Sequence, residues 1–105
     1  SLPMPEKDDF CARPGRFGAH NIHENEPVPT SFQSDHLVFG AYFNAGVRVH
    51  DTTNPLQPRE VAHFVPQIPP QAPANAINDL YVDENRIIYA VDRLKGGLYI
   101  LELTI

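Results

Sequence analysis

SDHLVFGAYFNAGVRVHDTT, residues 34–53, decides the fold, because residues 84–104, ENRIIYAVDRLKGGLYILELT, repeat its plan more loosely. Each copy is an apolar run, a short turn ending in Gly, a second apolar run, then an acidic residue and Thr. That is the pattern of a β-hairpin: Val47 and Val49 share one face of the return strand, and Arg48 and His50 share the other. Gly46 and Gly97 fall where such turns need a positive φ.

Working outward, residues 17–25, FGAHNIHEN, are strand-length but have no cleanly apolar face, so as a strand they predict a polar-lined channel or pocket. Residues 26–34 read as a loop. Residues 51–55, DTTNP, close the first hairpin, since Asp and Asn bond their own backbone and Pro55 stops the ladder. Residues 59–65, REVAHFV, predict a fourth, outer strand. In the second copy, residues 76–82, AINDLYV, precede the hairpin in the place that 17–25 holds in the first. Helical spacing of apolar residues is not sustained anywhere, so the sequence predicts an all-β chain.

The 11 prolines support this division. They cluster at 3–14, 27–29, 55–58 and 66–73, outside the predicted hairpins, as expected for a residue without the N–H that a sheet ladder needs. The resulting plan is an extended lead-in over 1–16, a four-stranded unit over 17–65, a Pro-rich connection over 66–75, and a three-stranded unit over 76–105. The Gly46-to-Gly97 offset is close to the roughly 40–50 residues of a propeller blade. The expectation is about two four-stranded antiparallel propeller blades, the last lacking its outer strand, forming the C-terminal part of a larger β-propeller. Two blades alone expose apolar surface, so the remaining blades are expected from another chain or from copies of this one.

Composition narrows the function classes. A net charge of −5 with only 8 Lys and Arg residues, none of them in a run, argues against nucleic acid and anionic membrane as partners. No apolar run approaches the roughly 20 residues of a membrane-spanning helix. No basic, apolar leader opens the sequence. The 1 cysteine, Cys11, excludes an intramolecular disulfide. There is no GxSxG, P-loop, HExxH or CxxC, and Asp8-Asp9 and Asp83-Glu84 read as lead-in and turn carboxylates, not as an acid–base pair.

Candidate site residues follow from the polar inner strands. His20 and His23 are the candidate metal ligands, because neutral imidazole suits Cu and Zn. At i and i+3 they reach one ion only if the strand bulges or ends between them. Asn78 and Asp79 hold the matching place in the second unit and are candidates for binding a channel ligand; the alternative is that they satisfy backbone groups at the strand start. His36, His50 and His63 read as surface or packing residues, and Asp92 with Arg93 as an ion pair at a rim.

With GVRVHDTTNPLQPREVAHFVP and INDLYVDENRIIYAVDRLKGGLYILEL on the page, the sequence resembles the LVIVD-repeat β-propeller family. Gly46, Asp51, Asn54-Pro55, Pro58 and Glu60-Val61-Ala62 fill the places of that repeat, and the resemblance spans about residues 17–103. It implies a propeller and a periplasmic or secreted, bacterial setting. A more distant similarity to selenium-binding, methanethiol-oxidase-type propellers implies copper as a possible cofactor. Three functions are therefore expected, in this order: a binding or assembly module; part of an oxidase- or hydrolase-like metalloenzyme with a channel metal held partly by histidine; and a self-assembling, lectin-like propeller.

Overall fold

The computed structural model describes Leu2, Pro3 and residues 10–105; Asp8-Asp9 and most of the expected lead-in fall outside these. The described residues contain seven strands and no helix: β1 (Phe17–Ile22), β2 (Leu37–Phe43), β3 (Val47–Asp51), β4 (Arg59–Phe64), β5 (Ile77–Val82), β6 (Ile87–Asp92) and β7 (Leu98–Glu102). Every pairing is antiparallel. β1, β2, β3 and β4 form one meander and β5, β6 and β7 a second, the strand order of one four-stranded and one three-stranded propeller blade. The two join into one curled sheet at a single pair, Phe43↔Ile77.

β1 ends at Ile22, earlier than the sequence suggested. The backbone then leaves the ladder after one last bond, from the His23 N–H to the Phe39 carbonyl (2.9 Å). Both inner strands carry irregularities: β1 between Phe17 and Asn21, and β5 between Ile77 and Asp79. Gly18, at φ 130°, takes up the first.

Alternation along the hairpins sends one face of the first unit against one face of the second. Phe39, Ala41, Val47 and Val49 of β2 and β3 meet Leu80, Val82, Ile88, Ala90 and Leu103 of the second unit in the main core. The connection from β1 to β2 reinforces this join. The Phe32 N–H donates to the Val82 carbonyl (2.9 Å), and the Glu84 N–H donates to the Thr30 carbonyl (2.9 Å).

The opposite face of the first unit is also closed. Phe10, Tyr42 and Ala45 form a second cluster, with Phe17 and Val65 packed against it. Asn44 holds the leading segment there by donating to the carbonyls of Phe10 (2.8 Å) and Pro14 (3.3 Å). The opposite face of the second unit is open, with Val91, Leu98 and Ile100 all exposed.

Candidate functional site

The inner strands place the candidate histidines in different surroundings. His23 is half-buried at the end of β1. The Val82 N–H donates to its Nδ1 (3.2 Å), so Nε2 carries the proton and donates to the Phe32 carbonyl (3.0 Å). The Ser31 hydroxyl lies 3.3 Å from the same Nε2. Both ring nitrogens are thus engaged in fastening β1 to β5 and to the loop before β2. The ring also meets Phe39 and Tyr81 edge-on, at 6.3 and 5.3 Å.

His20 is exposed. Its ring lies 4.6 Å from that of Phe43. The bulge in β1 falls before Asn21, and pairing with β2 is regular from Asn21 to Ile22. β1 does end at Ile22, between His20 and His23, yet the His23 ring nitrogens are taken by Val82 and Phe32 while the His20 ring lies on Phe43, so the two are not brought to one ion. Among the described residues, no three His, Cys, Asp or Glu side chains converge as metal ligands. A copper or zinc site takes three or four protein donors. Here His23 has no free nitrogen and His20 stands alone, so the described residues do not assemble such a set.

The irregularity in β5 lies between Ile77 and Asp79, so it takes in Asn78 and ends at Asp79. The Asn78 carbonyl accepts from the Asn21 side-chain amide (3.1 Å), which ties the two inner strands together. Its own Oδ1 is buried without a partner among the described residues. Asp79 is exposed and accepts the N–H of Leu80 (2.8 Å). Asp79 thus satisfies a backbone group beside the bulge, whereas the Asn78 side-chain oxygen does not.

Asp92 and Arg93 do not pair with each other. Asp92 is buried, and its carboxylate accepts the N–H groups of Ala76 (3.0 Å) and Leu94 (2.7 Å). The Arg93 guanidinium instead lies 5.7 Å from the centroid of the Phe43 ring. A shallow cleft of ≈ 590 Å³ is lined by Phe32, Ser34, His36, Leu37 and Arg86 among others. Its polar groups are already paired: His36 Nδ1 with Asp35 (2.9 Å), and Arg86 donating to the Ile105 carbonyl (2.7 Å).

The sequence reading missed the most buried group of titratable residues. Arg48 and His50 of β3, Tyr42 of β2 and Glu60 of β4 meet on the closed face of the first unit. Arg48 donates to the Ala45 carbonyl (2.9 Å) and to Glu60 Oε2 (3.2 Å). Its guanidinium lies 5.0 Å from the Phe10 ring. His50 is 0% exposed and neither ring nitrogen finds a hydrogen-bond partner among the described residues; Nε2 stands 4.0 Å from Glu60 Oε1. Burial pushes the His50 pKa down, against the pull of Glu60 and the nearby Pro3 backbone, and Arg48 adds to the lowering. Burial, aided by the Glu60 charge, pushes the Tyr42 phenol up. The available signal was the strict alternation of Arg48 and His50 with Val47 and Val49, together with Glu60 on the predicted outer strand; the structure pairs Glu60 directly with His50 across the ladder.

No family model, no curated protein and no solved structure matches the chain.

Proposed function

We propose that the chain serves as a binding and assembly module: part of a larger β-propeller of the LVIVD-like kind, whose second unit presents an unfinished face to a further blade. One comparison within the chain supports this reading. Phe39↔Val49 and Ala41↔Val47 in the first hairpin correspond, in the same register, to Tyr89↔Ile100 and Val91↔Leu98 in the second. In the first unit these positions are sealed against the second unit, with Phe39, Ala41, Val47 and Val49 at 1%, 0%, 2% and 1% exposure. In the second unit Val91, Leu98 and Ile100 stand at 42%, 55% and 63%.

The repeat thus indicates what covers that face: a sheet surface like the one formed by Leu80, Val82, Ile88 and Ala90. The equivalent face of this chain's own first unit is taken by Phe10 and the Arg48–Glu60 pair, which favours a blade from another polypeptide over a second copy. β7 pairs only with β6 among the described residues, so its outer edge is a template for a fourth strand.

Light scattering on the wild type and on Leu98→Lys and Ile100→Glu tests this. The wild type should associate or bind a hydrophobic dye such as ANS, and both variants should be monodisperse and bind less dye. A wild type that is monomeric, dye-free and indistinguishable from the variants would remove the proposal.

A further inference from the structure

Phe43 is the joint of the molecule. It pairs with Phe17 of β1 and with Ile77 of β5. It also holds φ at 53°, a region that bulky residues rarely occupy and that costs on the order of 1–3 kcal/mol. The ring is nearly buried, and two basic side chains cover it: the imidazole of His20 at 4.6 Å and the guanidinium of Arg93 at 5.7 Å. Both residues are exposed.

We infer that His20 and Arg93, seated on Phe43, form a binding site for a small oxyanion, a phosphate or carboxylate group, at the mouth between the inner strands. The charge arrangement decides between an anion and a metal cation. A guanidinium on the same ring that carries His20 repels a divalent cation, and it offers planar paired donors that match an oxyanion. The nearest carboxylate in sequence, Asp92, is buried with its oxygens committed to backbone N–H groups, so it does not neutralise Arg93. Among the described residues neither His20 nor Arg93 takes part in an ion pair. The imidazole adds a ring N–H donor, and the aromatic platform holds both groups in place without consuming their hydrogen bonds.

The second unit supports a specific origin for the site. The turn closing the first hairpin needs positive φ at both Phe43 and Gly46, whereas the corresponding turn of the second unit has it only at Gly97. The strained residue is therefore peculiar to the turn whose side chain carries the two bases. This inference stands apart from the propeller reading and survives its failure.

The test is a titration of the whole chain with inorganic phosphate and, separately, with acetate, followed by the NMR signals of the His20 ring and the Arg93 side chain. Saturable shifts confined to these residues and their neighbours are expected with at least one of the two anions. Arg93→Met keeps the stem over Phe43 and should weaken binding about tenfold, the loss of a charge-assisted hydrogen bond. His20→Gln, which keeps an N–H donor, should weaken it less. No saturable shift with either anion, equal affinity in Arg93→Met, or zinc binding at His20 in place of anion binding would each overturn the inference.

Discussion

At the scale of single residues, the sharpest consequences concern His50 and Glu60. Because burial lowers the His50 pKa below its unfolded value of 6.5, the folded state resists taking up a proton that the unfolded chain accepts. The resulting stability is complete above about pH 6.5 and is lost as pH falls through the depressed folded value. Denaturant midpoints measured between pH 8 and 5 should fall, and His50→Phe should flatten that fall whatever its effect at neutral pH. Glu60→Ala leaves the Arg48 guanidinium buried without its carboxylate and should cost about 3 kcal/mol in urea unfolding. Removing both charges together, as Arg48→Met with Glu60→Leu, should recover most of the loss. The chain pattern placed Arg48 and His50 on one face of β3. It carried no sign that a leading segment through Phe10 would close over that face, since a contact between residues so far apart has no local period. For the same reason His23 read as a candidate metal ligand: the partners that occupy its ring nitrogens, Val82 and Phe32, lie in other elements.

At the scale of elements, the hairpins were legible because strands of a sheet packed on one face alternate with period two, and because prolines mark where pairing cannot continue. The bulges of β1 and β5 were not legible, since each depends on how the inner strand meets its neighbour. The repeat also makes a prediction about its two turn glycines. Both Gly46 and Gly97 sit at φ 75°. A Cβ on Gly46 would collide with the Phe64 backbone carbonyl, whereas one on Gly97 meets nothing within 4 Å. Gly97→Ala should therefore cost only the left-handed backbone penalty, roughly 1–2 kcal/mol. Gly46→Ala should cost clearly more, because β4 has to move away from β3 to make room. Thermal unfolding of the two variants side by side measures the difference. Equal losses would mean that the β3–β4 junction is looser than its geometry indicates.

At the scale of the whole molecule, the two units are alike in register and unlike in what covers them. The first is closed on both faces, by the second unit on one and by the Phe10 segment on the other. The second is closed on one face only, and its open face carries Val91, Leu98 and Ile100 where the first unit carries Ala41, Val47 and Val49. The central claim is that this open face is an inter-blade surface awaiting its partner. Methyl NMR over a concentration series, or with a candidate partner added, tests it most directly. The account predicts that the Val91, Leu98 and Ile100 methyl signals shift or broaden as the complex forms, while Val49, Leu80 and Ile88 hold their positions. Unchanged signals at those three methyls, with the response falling instead on residues such as Ile22 or Leu56, would contradict it.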